Sequence, residues 1–277
     1  MRIRIRHRTV YAFDAPMRWV TQSHRLTPTT CASQKVVDWS VTAEGATFGA
    51  GFIDGGGDEI RTMTIAGPVE KVEVVVEGTV DTTDTAGVLR GHRETIAPLV
   101  YLVSTPATRP SPALVELKDK ALEGVDLSNP LGMAHRLSEA VAKAIAYGPG
   151  ETTAQTTAAE ALELGKGVCQ DYAHALISVA HLAGLPARYA VGYLLSRADG
   201  SPEDASHAWA EIHLPGLGWV GFDPTNDCCP DDRYVRLGAG RDAQDGAPIR
   251  GVSRGGAGEA IEVSVEVWDA AQKQSQQ

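Results

Sequence analysis

Cys169 opens a segment whose residue types could support nucleophilic chemistry. It follows Gly165 and Gly167 and begins a run with apolar residues at helical spacing, CQDYAHALISVAHLAG. A thiol at a helix N-terminus is favoured as a thiolate, and the N–H groups there can bind an oxyanion formed beside the sulfur. The two glycines would let the backbone approach a substrate closely. Taken alone, the segment is more typical of a buried structural cysteine than of a nucleophile.

A predicted β-hairpin supplies a histidine and an aspartate that could act on this thiol. The segments SHAWAEIHL and GWVGFD flank a turn at Pro215-Gly216. Folding the chain there sets His207 opposite Asp223, residue 209 opposite 221 and residue 211 opposite 219. The apolar residues of both strands then share the other face, which we expect to pack on the core. In a Cys-His-Asp site His207 would accept the thiol proton and Asp223 would orient the imidazole.

Other interpretations of these residues stay open. A surface salt bridge between His207 and Asp223 is the structural alternative, and Cys, His and Asp could also hold zinc in a hydrolase. The adjacent pair Cys228-Cys229 lacks the CxxC or HxxxH spacing typical of metal sites. We therefore predict no metal and no cofactor.

The rest of the chain must position these residues. Residues 1–103 contain short alternating strands typical of a β-sandwich, and residues 104–258 contain helical periods followed by strands. The alternating stretch EAIEVSVEVW opens a C-terminal piece, 259–277, which we expect to rejoin the N-terminal sheets before a disordered tail. Within the second region we predict a helix over 169–183 and a long surface loop over 238–258.

Composition limits the partners and the compartment. With 277 residues, 43% hydrophobic and 22% charged, the chain is typical of globular proteins. The net charge of -10 argues against nucleic acid as a partner, and no apolar run is long enough to span a membrane. Four cysteines, two of them adjacent, form no disulfide framework. With an N-terminus unlike a signal peptide, these features predict a cytoplasmic protein.

Two motifs carry a resemblance to the transglutaminase-like superfamily, in particular to its bacterial branch of transglutaminase-like cysteine proteases. They are GVCQDYAHALISVAHLAGLPARYAVGYL and SHAWAEIHLPGLGWVGFDPTN, in that order. YAFDAPMRWVTQSHRLTP resembles the β-rich N-terminal domain of that branch, so the likeness covers nearly the whole chain. It implies an α+β fold in which a papain-like core, helices against an antiparallel sheet, follows an N-terminal β-sandwich domain.

The resemblance also implies a reaction. Cys169 corresponds to the nucleophile, His207 to the base and Asp223 to the orienting acid of thiol-dependent acyl transfer at amide or peptide bonds. Hydrolysis is the expected outcome, as in a protease, amidase or deamidase. A cross-linking transglutaminase and a non-catalytic binding protein on the same fold are the alternatives. Tyr172 and Trp209 are candidate walls of the acyl site, and Gln170 is a candidate second donor to the oxyanion.

Overall fold

Two long strands form the centre of the N-terminal sheet, β1 (Arg2–His24) and β4 (Glu59–Thr82). The computed structural model describes residues 1–195, 206–255 and 258–270. In β1, isoleucines alternate with arginines, so Ile3 and Ile5 enter the core while their arginine neighbours stay exposed. The two strands pair antiparallel along almost their whole length.

Four shorter strands complete this sheet: β2 (Gln34–Ala43), β3 (Thr47–Ile53), β11 (Ile249–Arg254) and β12 (Glu259–Asp269). β2 and β3 pair with different halves of β4, whereas β12 and β11 pair with different halves of β1. The register of β1 shifts between Ala12 and Trp19, as at β-bulges, which bend a strand. Both halves of the sheet contribute to one apolar core, which includes Met17, Val20, Met63, Val72 and Val74.

After β4 the chain forms helices: a 3₁₀ helix (Pro98–Leu102), then α1 (Pro112–Leu122), α2 (Pro130–Ala144), α3 (Ala158–Leu164) and α4 (Cys169–Leu182). Proline stands at the start of α1 and α2, where its missing N–H costs nothing. The side chains of Ser111 and Asn129 accept backbone N–H groups there. Thr157 and Glu160 form a capping box on α3.

A second antiparallel sheet packs against these helices. It contains β7 (Ala187–Leu194), β8 (Ser206–Leu214), β9 (Gly218–Phe222) and β10 (Tyr234–Gly240), in the order β10-β7-β8-β9. The remaining strands, β5 (Ala146–Tyr147) and β6 (Lys166–Gly167), form a two-residue parallel ladder. Ala208, Ala210 and Ile212 share a core with α4, as predicted for the apolar face of the hairpin.

The predicted surface loop over 238–258 is wrong in part. β10 continues to Gly240 beside β7, and β11 lies within the remainder as a partner of β1. Neither strand shows period-two alternation: β10 is buried on both faces, whereas β11 is mostly exposed at the edge of its sheet. The C-terminal strand pairs with β1. The tail predicted to be disordered lies outside the described residues.

Within the described ranges, no helix combines the length and the apolar character that crossing a membrane requires.

Candidate active site

Cys169 is the first residue of α4, and the turn that carries it is fixed by a buried carboxylate. Asp171 Oδ2 accepts hydrogen bonds from the backbone N–H of Val168 (2.8 Å) and from Thr152 Oγ1 (2.6 Å). Asp171 is completely buried, and burial raises the pKa of its carboxyl group, while these two hydrogen bonds oppose that shift. The start of the helix is therefore held rigidly just before the thiol.

The two glycines before Cys169 have local structural roles, which differ from the predicted close approach to a substrate. Gly165 has φ 67° and ends α3, a left-handed position that favours glycine. A Cβ on Gly167 would lie 2.7 Å from Asp171 Cβ, so any side chain there would displace the carboxylate. Both glycines thus serve the geometry of the turn.

The hairpin brings His207 and Asp223 together, but in a register that differs from the prediction. Glu211 pairs with Gly221 and His213 with Trp219, so the ladder is shifted by two residues. Because side chains alternate with period two, this shift leaves every residue on its predicted face. His207 Nε2 lies 2.6 Å from Asp223 Oδ2, a short charge-assisted hydrogen bond.

Asp223 is completely buried and is surrounded by hydrogen-bond donors. Its Oδ2 accepts from His207 Nε2 (2.6 Å), Asn226 Nδ2 (2.7 Å) and the Tyr234 hydroxyl (2.7 Å). Its Oδ1 accepts from the backbone N–H of Thr225 (3.0 Å). Burial alone would raise the pKa of this carboxyl, but the hydrogen bond and charge of His207 and the two further side-chain donors hold it below its ordinary value.

The imidazole of His207 interacts with the carboxylate on one side and the thiol on the other. Burial would lower its pKa, but hydrogen bonds and charge from Asp223 and Cys169 outweigh this effect and raise the pKa to about 10. Because Asp223 occupies Nε2, Nδ1 is the nitrogen left for the sulfur. Such an arrangement can take the proton of the thiol and later return it to a leaving group.

Two backbone donors lie beside the sulfur. Among the described residues, the amide N–H groups of Cys169 and Gln170 donate no hydrogen bond, as is usual in the first turn of a helix. They can therefore bind an oxyanion at the helix N-terminus. The side chain of Gln170 is not aimed at them, because its Nε2 lies 3.4 Å from the carbonyl oxygens of Thr153 and Ala154.

The two predicted wall residues lie in different surroundings. Trp209 is buried beside the site, and its ring stacks on the His207 imidazole at 6.3 Å and 25°. Tyr172 is buried in the core around α4, where its hydroxyl donates to the carbonyl oxygen of Ile145 at the end of α2 (2.6 Å). Trp209 thus packs against His207, whereas Tyr172 holds α4 in place.

Sequence reasoning missed Asn226 and Tyr234, which both donate to Asp223. Asn226 stands three residues after the acid, in a turn closed by backbone hydrogen bonds between Asp223 and Cys228, so this local spacing was a usable signal. Tyr234 is brought to Asp223 by the pairing of β10 with β7. No short-range pattern in the sequence indicates that contact.

Beneath the triad, on the same sheet face, lies a buried ionic network. Glu211 accepts from Arg188 Nε and Arg236 Nε, both at 2.7 Å, and these charges overcome burial to lower its pKa to about 2. Arg236 also donates, at 2.8 Å, to Asp58 in the loop that joins β3 and β4 of the first sheet. The network therefore joins the two sheets. In the described part of the chain, no group of three or more His, Cys, Asp or Glu side chains is arranged to hold a metal ion.

Helices packed on an antiparallel sheet, with a cysteine at a helix start facing a strand-borne histidine, define the papain-like class of α+β folds. Residues 120–224 match the family model for the "Transglutaminase-like superfamily", and residues 3–81 match the "Bacterial transglutaminase-like N-terminal region". Together the two matches cover more than half of the chain. The protein belongs to the transglutaminase-like superfamily, and both the predicted family and the predicted fold class are confirmed.

Individual relatives extend this likeness. The Mycobacterium leprae protein ML0607 is 28% identical over 96% of this chain and 98% of its own length. A Pseudomonas aeruginosa protein-glutamine gamma-glutamyltransferase is 34% identical over 71 residues, which are 24% of this chain and 11% of that enzyme. The crystal structure of a "Putative Cysteine Protease" from Cytophaga hutchinsonii superposes with a TM-score of 0.73 and 22% identity, over 98% of this chain and 91% of that one. That superposition supports the fold.

Proposed function

We propose that this protein is an enzyme that transfers acyl groups from amide or peptide bonds to water, through a thioester on Cys169. One observation carries the proposal: the imidazole of His207 lies between a fully buried carboxylate at 2.6 Å and the thiol at the start of α4. A structural ion pair would not need a thiol there. A raised His207 pKa is what a thiolate-imidazolium pair requires.

The reaction has two halves. In the first, Cys169 Sγ attacks the substrate carbonyl, and the resulting oxyanion accepts hydrogen bonds from the N–H groups of Cys169 and Gln170. His207 then donates its proton to the departing amine, which leaves a thioester on the sulfur. In the second, His207 takes a proton from water, the hydroxide attacks the thioester, and the acid departs as the thiol is restored. Asp223 stabilises the imidazolium each time it forms.

A second candidate is cross-linking, in which a primary amine replaces water in the second half. The name of the Pseudomonas relative, a protein-glutamine gamma-glutamyltransferase, favours this reaction for the shared segment. The same triad serves both outcomes, so the difference lies in which acceptor reaches the thioester. The substrate class is a peptide or another amide in either case, and we expect no nucleic acid and no membrane as partner.

Trapping the acyl-enzyme tests the proposal. The protein is incubated with glutamine-containing peptides, quenched in acid and digested, and the mass added to Cys169 is measured. Product analysis with and without a primary amine such as cadaverine then separates hydrolysis from cross-linking. We expect an acid-stable thioester on Cys169 that is absent in Cys169→Ala and unaffected by the matched control Cys31→Ala. Turnover that is equal in wild type and Cys169→Ala would show that Cys169 is not the nucleophile, and a wild type with neither turnover nor a thioester would favour a binding protein; either outcome overturns the proposal.

The unpaired thiols also support an assignment of the cellular compartment. All four cysteines are unpaired, and the adjacent Cys228 and Cys229 lie next to the loop that holds Asp223. We place the protein in the reducing cytoplasm, where such thiols persist. Cell fractionation combined with thiol alkylation in intact cells would show four reduced cysteines in the cytoplasmic fraction. Recovery in another compartment would contradict this assignment.

A further inference from the structure

The hydroxyl of Tyr234 shares an acceptor with the imidazole of the triad. It donates to Asp223 Oδ2 at 2.7 Å, and the same oxygen accepts from His207 Nε2 at 2.6 Å. Asn226 Nδ2 is a third donor to that oxygen, at 2.7 Å. One carboxylate oxygen therefore receives three side-chain hydrogen bonds. Of the three donor groups, the imidazole of His207 is the one whose charge changes during the reaction.

The position of Tyr234 is closely determined. The residue begins β10 and is 5% exposed. Its ring lies edge-on to Trp209, with centroids 5.6 Å apart, and tilted against His207 at 5.9 Å. Burial raises the pKa of the hydroxyl most, and the negative charge of Asp223 raises it further. The hydroxyl therefore remains protonated and acts as a donor. The hydroxyl is thus a fixed donor within the triad's own surroundings.

A fully buried carboxylate needs donors in both halves of the reaction. While His207 is an imidazolium, its charge stabilises Asp223. Once His207 has passed its proton to the leaving amine, that charge is gone, and the carboxylate depends on neutral donors. Tyr234 and Asn226 supply them at the same oxygen.

We propose that Tyr234 is a positioning residue of the triad. Its hydroxyl holds Asp223 Oδ2 in line with the imidazole and limits how strongly that oxygen binds the Nε2 proton of His207. The inference rests on the proposed acyl-transfer function and deepens it. Without this hydroxyl, Asp223 Oδ2 has one donor fewer and binds the His207 proton more tightly. A more tightly held Nε2 proton makes the imidazole more basic, so the proton on Nδ1 is delivered to the leaving amine more slowly, while the fold is retained.

Tyr234→Phe tests this, because phenylalanine retains the ring that packs on Trp209. The matched control is Tyr193→Phe, which removes a buried hydroxyl of the same sheet that contacts His7 at 2.9 Å instead of the triad. In Tyr234→Phe we expect the Hε2 proton of His207 to move downfield in NMR spectra of histidine-labelled protein. We also expect kcat to fall about tenfold with KM nearly unchanged, the size of effect typical of one hydrogen bond to a charged group. In Tyr193→Phe both stay at wild-type values.

A purely structural role predicts a different result. Loss of order around the site would move the His207 proton upfield towards that of a free imidazole, and an unchanged resonance would show no coupling; either outcome overturns the inference. If Tyr234→Phe fails to fold, Asn226→Ala removes another donor from the same oxygen and must give the same downfield shift. The NMR readout needs no turnover. A wild-type protein without acyl-enzyme would therefore defeat the proposed function while leaving this measurement interpretable.

Discussion

Two buried carboxylates on one face of the second sheet have opposite kinds of partners. Glu211 is held by Arg188 and Arg236, whose charges are permanent. Asp223 is held by His207, by an amide and by a hydroxyl, so within the described ranges its charged partner is a group that titrates. Both carboxyls have lowered pKa values despite being buried. The two arginines give Glu211 a fixed positive surrounding, whereas the partner of Asp223, His207, can gain and lose a proton.

Because their partners differ, we expect the two carboxylates to have different roles, one in stability and one in chemistry. Through Arg236 and Asp58, the Glu211 network ties the second sheet to the first, so its effect is on stability. In the described part of the chain, Asp223 faces groups that position or exchange a proton, so we predict that its effect is on chemistry. Neutralising Asp223 should therefore reduce turnover, whereas neutralising Glu211 should reduce the free energy of unfolding.

Neutralising Asp223 should give the largest effect on catalysis. In Asp223→Asn the amide leaves the imidazole in the wrong tautomer, and we expect kcat to fall about 10⁴-fold, as in Ser-His-Asp triads. The measurement is steady-state turnover of the peptide identified by acyl-enzyme trapping, with the thermal unfolding midpoint as a check on folding. A loss of less than tenfold would mean that Asp223 does not orient His207.

Neutralising Glu211 should give the converse result. Glu211→Gln leaves two buried arginines without their shared counter-charge, which costs about 3–5 kcal/mol in the free energy of unfolding. The kcat of the folded fraction should change no more than a few-fold. Urea denaturation followed by Trp fluorescence measures the first quantity. If Glu211→Gln instead abolished turnover at unchanged stability, the division between the two carboxylates would be wrong.

The pH dependence of stability should also distinguish them. The pKa of His207 is about 10 in the folded protein against an ordinary value of 6.5, so its contribution to stability is complete below pH 6.5 and is lost as the pH rises towards 10. We expect the free energy of unfolding of wild type to exceed that of Asp223→Asn most at pH 6 and least at pH 10. The difference between wild type and Glu211→Gln should stay constant over that range, because arginine does not titrate there. Urea titrations at three pH values supply both comparisons.

The smallest effect should come from Tyr172, which lies away from both carboxylates. Tyr172→Phe removes one hydrogen bond to the carbonyl of Ile145 and should cost about 1 kcal/mol of stability. Turnover should stay within twofold of wild type, since the ring that packs α4 is retained. A tenfold fall in kcat/KM without loss of stability would restore Tyr172 to the acyl site.

The sequence predicted those features that depend on local periodicity. Apolar spacing located α4 with Cys169 at its start, and period-two alternation assigned His207 and Asp223 to one hairpin face. The hairpin register came out two residues wrong, because the turn spans 215–217 and alternation cannot detect an even shift. Side chains of the triad were therefore on the correct face in the wrong register.

The rest depends on contacts between distant segments. Tyr234 reaches Asp223 only because β10 joins the sheet, and the segment YVRLGAG shows no alternation since both its faces are buried. Gly167 is constrained by Asp171, a contact that spacing alone does not reveal. The ionic network through Asp58 unites residues almost 180 positions apart. Such pairings require the folded topology.

The reactivity of Cys169 tests the central claim most directly. The rate of its alkylation by iodoacetamide is measured at pH 6.0 by mass spectrometry, with Cys31 in the same molecule as the internal reference. A thiolate paired with the His207 imidazolium should react at least about 100-fold faster than an ordinary thiol of pKa about 8.5, which is largely protonated there. The advantage should fall sharply in Asp223→Asn and persist in Glu211→Gln. If Cys169 and Cys31 react at equal rates in wild-type protein, Cys169 is not an activated nucleophile and the account is wrong.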